Sequence, residues 1–282
     1  MNLEDIVFNK RTPTKKGTII KNLIIILIIL VVIIVFVITA LTKIGQGFNN
    51  KEWQEIQELL NKDFNKSDVV LFEVGELDKT SLKNKLNACM NVDNIYTEDE
   101  INASVLFENA KLNAAVSLDK KDLTLISTAY LNYVVSTIGA EDILNLFSLK
   151  NVVLTTIGSQ TNIRIVCKID LNQIFKGEVV DLGFVSTSKM PEEVYITFFG
   201  VMDNTKPLKQ CITSGNIVIN NLNTEDNTKV LNYFLGKYNK DLVLEDSYTS
   251  GAWFFVNSLF DIVSAWEART TLNADSISLE KA

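Results

Sequence analysis

Ser186 and Lys189 form the pattern that comes nearest to a catalytic motif in this chain. Residues 186–189 read Ser-Thr-Ser-Lys, the S-x-x-K spacing that puts a nucleophilic serine beside a lysine in penicillin-binding enzymes. The companion S-D-N and K-T-G motifs are missing, and Pro191 follows where a helix would be needed. We therefore interpret the match as a coincidence and assign no catalytic residue.

Histidine is absent from all 282 residues. Its absence excludes Ser-His-Asp and Cys-His catalysis, HExxH zinc sites and histidine general-base chemistry. Cys89, Cys167 and Cys211 are too far apart in sequence to indicate a zinc or redox motif, and no glycine-rich phosphate loop occurs. At most one disulfide can form, and we expect buried free thiols. The sequence predicts no enzyme, no cofactor and no metal site.

Residues 23–41 form an apolar run in which Thr39 is the only polar side chain. As a helix the run spans roughly 28 Å, close to the thickness of the hydrocarbon layer of a bilayer. A cleaved signal peptide is the alternative, but it usually has a shorter apolar core followed by a small-x-small site, which is missing here. We predict an uncleaved, single-pass transmembrane signal anchor.

Charge predicts the orientation of this anchor. Residues 1–22 carry five basic and two acidic side chains, a net +3, so the rest of the chain carries −10 to reach the total of −7. Because the basic side of an anchor stays in the cytoplasm, residues 1–22 should be a cytoplasmic tail, with the large C-terminal part outside the bacterial cell membrane. A domain with this much negative charge repels the phosphates of nucleic acid, so we do not expect nucleic acid as a partner.

The outer part has the patterns of an α+β domain. Residues 42–66 are a juxtamembrane spacer and a short amphipathic helix, which is either a stalk or the first packed element. Residues 67–282 should form the extracytoplasmic domain, with helices packed on a curved antiparallel sheet. Helical patterns cover 77–90, 119–135, 224–236 and 252–268, and strand patterns cover 67–75, 151–157, 161–171, 193–202, 217–219 and 274–279. Gly-Ser-Gln at 158–160 predicts a hairpin, and Ser117 or Asp119 should cap the helix at 119–135.

Three stretches carry a resemblance to a known family. Residues 118–123 read L-D-K-K-D-L, 194–198 read V-Y-I-T-F, and 217–222 read I-V-I-N-N-L ahead of a helix pattern. In this order they resemble the YpmS-like membrane-anchored bacterial proteins, which are similar to TULIP-type (tubular lipid-binding) domains. The resemblance covers roughly residues 112–236. It implies a long helix lying in a curved sheet, with an apolar groove between them that accepts an acyl chain.

The resemblance also implies which side chains would face a lipid. They lie on the helix and on the facing strands: Leu123, Ile126, Tyr130, Val134, Ile163, Ile165, Val194, Ile196 and Phe198. An ordinary closed core has the same periodicity, so both interpretations stay open. The aromatic pattern at 252–268 is a second apolar surface, either core, a partner-helix face or a contact with the bilayer.

These patterns favour a non-enzymatic, membrane-tethered, extracytoplasmic binding module, with lipid or another apolar envelope molecule as its ligand. The alternative is a structural or assembly protein of the cell envelope that acts through protein–protein contacts. The bilayer is the expected partner of residues 23–41. A lipid ligand needs an apolar cavity of roughly 300–1,000 Å³ that reaches the surface, whereas an assembly protein can have a closed core.

Overall fold

The computed structural model describes residues 50–62, 77–98, 100–137, 139, 141–175, 190–206, 212–235, 262–263 and 265–282. The expected anchor at 23–41, the expected strand at 67–75 and the S-x-x-K pattern at 186–189 lie outside the described residues. Within the described ranges, no helix is both long enough and apolar enough to cross a bilayer.

The described chain is an α+β fold, as the sequence predicts. Its α-helices are α1 (Asn50–Leu60), α2 (Lys79–Cys89), α3 (Lys120–Thr137), α4 (Asp142–Leu146), α5 (Leu171–Phe175) and α6 (Thr224–Leu235), with a π-helical turn at Val105–Asn109. Its strands are β1 (Tyr96–Thr97), β2 (Glu100–Ile101), β3 (Val116–Asp119), β4 (Phe147–Ile157), β5 (Gln160–Asp170), β6 (Glu193–Asp203), β7 (Ile212–Ile219), β8 (Ala268–Leu272) and β9 (Ser276–Lys281).

The larger sheet is an antiparallel meander in the order β4-β5-β6-β7. The apolar residues that alternate along β5 are buried, so this strand faces the core as its period of two predicts. The predicted hairpin turn lies at Gly158 and Ser159, between β4 and β5. Gly158 has a positive φ of 62°, a conformation that glycine adopts without strain.

Strand β6 is covered on both faces only at its beginning. Apolar side chains on both faces predict burial throughout, and residues 194–197 are indeed buried. Phe199, however, is 40% exposed on the outer face. Its cross-strand neighbours there are Arg164 on β5 and Asn216 on β7.

A second antiparallel sheet, in the order β3-β9-β8, joins the chain near residue 116 to its C-terminal end. Residues 116–119 form strand β3, in which Val116 pairs with Leu279, and Asp119 also caps the helix that follows, as expected. One local expectation is wrong, because Ala268 begins strand β8 instead of ending a helix. Strand β3 depends on a partner far along the chain, which local periodicity does not reveal. Strand β8 forms a hairpin with its neighbour β9.

Helix α3 packs against β4 and is fastened to it. Thr124 donates its hydroxyl hydrogen to Lys120 O at 2.7 Å, and the same oxygen accepts the N–H of Val152 at 3.0 Å. This buried bond lies beside the register shift in β4 between Leu149 and Asn151. The hydroxyl therefore satisfies a strand amide where the helix meets the sheet.

Helix α1 is docked on the domain and is not a free stalk. The rings of Trp53 and Tyr233 lie 5.9 Å apart, which joins α1 to α6. The side chain of Asn220 accepts the N–H of Tyr195 at 2.8 Å and donates to Leu60 O at 2.9 Å. Because these bonds are buried, the C-terminal end of α1 is tied to strand β6.

Candidate functional site

The side chains expected to face a lipid are mostly brought together, in a packed core. The buried members Leu123, Ile126, Ile163, Ile165, Val194 and Ile196 share one apolar cluster, against which Tyr130 and Phe198 pack as half-buried side chains. Val134 lies elsewhere, in a small cluster with Val135. Eight of the nine residues thus belong to one extended apolar cluster or pack against it.

Two of these side chains border a small cavity. A cavity of about 10 Å³ touches Leu123 and Ile126, and its other described walls are Leu118, Ile262, Val263, Trp266, Ile277 and Leu279. This volume holds no more than about one water molecule. Trp266 closes the core beside it, since its indole N–H donates to Leu106 O at 2.9 Å in a buried bond. The lipid-binding role of these residues stays a prediction.

A larger concavity, the lysine pocket, lies where α2 begins. Its volume is about 630 Å³, and its described walls are Leu77, Asp78, Lys79, Thr80, Lys83, Tyr96 and Lys121. Asp78 caps α2, because its Oδ1 accepts the N–H of Ser81 at 2.8 Å. Lys79 and Lys83 are four residues apart on this helix and therefore lie on the same face.

Tyr96 forms the floor below one of these lysines. The ammonium group of Lys83 lies 5.6 Å from the centre of the Tyr96 ring and donates to Glu98 O at 3.2 Å. The Tyr96 hydroxyl is buried and has no hydrogen-bond partner. Burial and the negative charge of Asp122 raise the pKa of Tyr96, so the hydroxyl keeps its proton at neutral pH and can donate.

Lys121 reaches the pocket because the start of α3 is held beside α2. Asp119 caps α3 by accepting the N–H groups of Lys121 at 2.8 Å and Asp122 at 3.1 Å. Asp122 in turn accepts the N–H of Asp119 at 3.0 Å, which completes a reciprocal capping box. Lys85 of α2 pairs with Asp122 at 2.5 Å and lies 3.9 Å from Asp119, so it joins α2 to the start of α3.

The charge of the lysine pocket is opposite to that of the chain. Lys79, Lys83 and Lys121 make no ion pair with any described carboxylate, while the whole chain carries −7. Asp78 is the acidic residue among the described walls. Lysines and a hydroxyl donor can bind an anion.

The described cysteines are inert. Cys89 and Cys167 are buried free thiols, as expected, and Cys211 lies outside the described residues. Burial raises the pKa of Cys89 to about 11 and also raises that of Cys167, so neither forms the reactive thiolate near pH 7. Among the described residues, no cluster of three or more cysteine or acidic side chains could hold a metal ion.

Comparisons with protein-family models, with curated proteins and with solved structures found no match to this chain. The resemblance to the YpmS-like proteins therefore rests on the three short stretches of sequence alone.

Sequence reasoning missed the lysine pocket. The spacing of Lys79 and Lys83 behind the capping residue Asp78 gives one signal, a basic helix face in an acidic domain. Nothing in the sequence indicates that Tyr96 and Lys121 join them, because that depends on the contact between α2 and α3.

Proposed function

We propose that this chain is a non-enzymatic binding module, tethered to the cell membrane by residues 23–41 with its α+β domain outside the cytoplasm. The docking of α1 is the observation that carries the proposal. Helix α1 begins at Asn50 and packs against α6 through the rings of Trp53 and Tyr233. An anchor ending at residue 41 is thus followed closely by a helix that is part of the folded domain.

The short connection limits how far the domain reaches from the membrane. Residues 42–49 span at most about 28 Å when fully extended. The domain then works near the bilayer surface, where lipid headgroups and membrane-bound molecules are concentrated. A long flexible stalk would have favoured a partner deep in the cell envelope instead.

Two ligand classes remain as proposals for this module. A lipid or another apolar envelope molecule fits the resemblance, and the cavity beside Leu123 and Ile126 measures about 10 Å³. An anionic ligand has more room, because the lysine pocket offers about 630 Å³. The geometry therefore favours a ligand bound in the lysine pocket.

Native mass spectrometry of the full chain tests the binding function. The protein is purified in a neutral detergent and incubated separately with diacylglycerol, a lipid without a phosphate group, and with inorganic phosphate. One retained ligand per chain supports a binding module, and the identity of that ligand separates the two classes. A chain that retains neither probe contradicts the proposal and leaves the assembly role in its place.

The assembly role is favoured by one surface feature. Phe199 is 40% exposed on the outer face of the larger sheet, beside Arg164, whose buried Nε has no hydrogen-bond partner. A photoreactive phenylalanine analogue at position 199 should crosslink to another envelope protein in cells if this face is an interface. The same analogue at Asn132, an exposed position on α3, is the control.

A further inference from the structure

We propose that the lysine pocket binds a phosphate-bearing group. The inference deepens the proposed function, because it names the chemistry that the pocket recognises. Three lysine side chains line one concavity of about 630 Å³ at the contact between α2 and α3. Like charges repel, so gathering them without carboxylate partners is unfavourable unless an anion joins them.

Solvation of separate lysines is the simpler explanation, and one observation opposes it. Carboxylates outnumber basic residues in this chain, 34 to 27, yet no described carboxylate pairs with Lys79, Lys83 or Lys121.

The donor set fits phosphate better than a single carboxylate. Phosphate offers several oxygens and up to two negative charges, so it can accept from three ammonium groups at once. The Thr80 hydroxyl is a further donor in the wall. The positive end of the α2 dipole adds to the potential of the lysines.

Two of the three lysines are held in position by other contacts. Lys85 and the capping box of α3 fix Lys121 relative to α2, and the carbonyl of Glu98 fixes Lys83 above the Tyr96 ring. Preformed positions lower the entropy lost when a ligand binds. Lys79 and Lys121 make no ion pair with a described residue, so their side chains can move toward the anion and bind it.

Equilibrium dialysis with radiolabelled inorganic phosphate tests this inference on the full chain in phosphatidylcholine nanodiscs. We expect saturable binding that weakens about tenfold in the double variant Lys79→Gln/Lys121→Gln. Lys120→Gln is the matched control, because Lys120 precedes Lys121 on α3, is exposed and does not line the pocket. Its affinity for phosphate should equal that of the wild type.

Absence of saturable phosphate binding by the wild type would overturn the inference. So would equal weakening by Lys120→Gln, because binding would then reflect the overall surface charge.

A change in the lipid of the nanodisc shows whether the phosphate group belongs to a lipid headgroup or to a soluble compound. Phosphatidylglycerol added to the discs should displace the radiolabelled phosphate if the pocket takes a lipid headgroup. Unchanged phosphate binding assigns the pocket to a soluble phosphate compound, and both results support the phosphate chemistry. Retention of an acyl lipid without any phosphate binding would refute this inference and leave the binding function intact.

Discussion

The ammonium nitrogen of Lys85 lies 2.5 Å from Oδ2 of Asp122, and this contact joins α2 to the start of α3. The Asp122 carboxylate is 4% exposed, whereas Lys85 is 32% exposed, so the pair stands at the edge of the core. The same carboxylate accepts the N–H of Asp119 in the capping box of α3. One acidic side chain therefore caps α3 and also holds it beside α2.

Lys85→Met should destabilise the protein by about 2–3 kcal/mol, because it leaves a buried carboxylate without its counter-charge. Lys120→Met, at an exposed position nearby, should change the free energy of unfolding by less than about 0.5 kcal/mol. Urea denaturation followed by circular dichroism measures both values. Equal stability of the two variants would mean that the ion pair contributes little to the contact between α2 and α3.

The Thr124 hydroxyl should hold α3 on the sheet. Thr124→Val keeps the shape of the side chain but leaves the buried N–H of Val152 unpaired, at a cost of about 1–3 kcal/mol. Thr128→Val removes only a bond to the Thr124 carbonyl within the same helix, so we expect a smaller loss. Hydrogen exchange of the Val152 amide should speed up in the first variant alone. Unchanged exchange there would contradict this role of Thr124.

Substitution by glycine should change the stability of the protein differently at two neighbouring asparagines. Both have positive φ, 46° at Asn220 and 56° at Asn221, so glycine fits the backbone at either position. Asn220→Gly loses the buried bonds to Tyr195 and Leu60, and we expect a loss of about 2–3 kcal/mol.

Asn221→Gly is the control for this experiment, because it relieves the same backbone conformation and loses no bond to α1. We expect stability within about 1 kcal/mol of the wild type, or a small gain. Limited proteolysis should cut α1 faster in the first variant than in this one. Similar cleavage of both would show that Asn220 does not secure the docking of α1.

Stability should fall in alkaline solution, where the thiol of Cys89 and the hydroxyl of Tyr133 begin to lose their protons. Burial raises the pKa of Cys89 from 9.0 to about 11, and burial with the Glu108 hydrogen bond raises that of Tyr133 from 10.0 to about 12. Below pH 9.0 the Cys89 thiol is protonated in both states, and its contribution to stability is fully present. As the pH rises toward 11, the unfolded chain loses this proton first, and the contribution is lost.

The urea midpoint measured at pH 8, 9, 10 and 11 checks this expectation. The midpoint should fall across the range, and Cys89→Ala should make the fall shallower because it removes one of the ionising groups. A midpoint that rises with pH, or an unchanged slope in the variant, would contradict the assigned cause.

Local patterns predicted the parts of the fold that local physics determines. The β4–β5 hairpin follows from alternation on both sides of Gly158, and α3 follows from its apolar spacing and the cap at Asp119. Strand β3 was missed, because its only described partner is β9, where Val116 pairs with Leu279 far along the chain. The pairing of distant segments is set by tertiary packing, which a period in sequence does not encode.

The candidate site, like the fold, was predicted only where local patterns determine it. Most of the predicted apolar residues share one cluster, but whether they enclose a groove or a closed core depends on how fully their side chains fill the space. Periodicity is identical in both cases. The lysine pocket depends on two contacts, the Lys85–Asp122 ion pair and the stacking of Lys83 on Tyr96, and neither follows from the spacing of residues in sequence.

The membrane topology of the full chain tests the central claim most directly. Cells producing the protein with different epitope tags at its two ends are converted to spheroplasts and treated with proteinase K. The account predicts loss of the C-terminal tag and survival of the N-terminal tag on a membrane-embedded fragment. Protection of the C-terminal tag until lysis, or a mature N-terminus beyond residue 41, would contradict a tethered extracytoplasmic module.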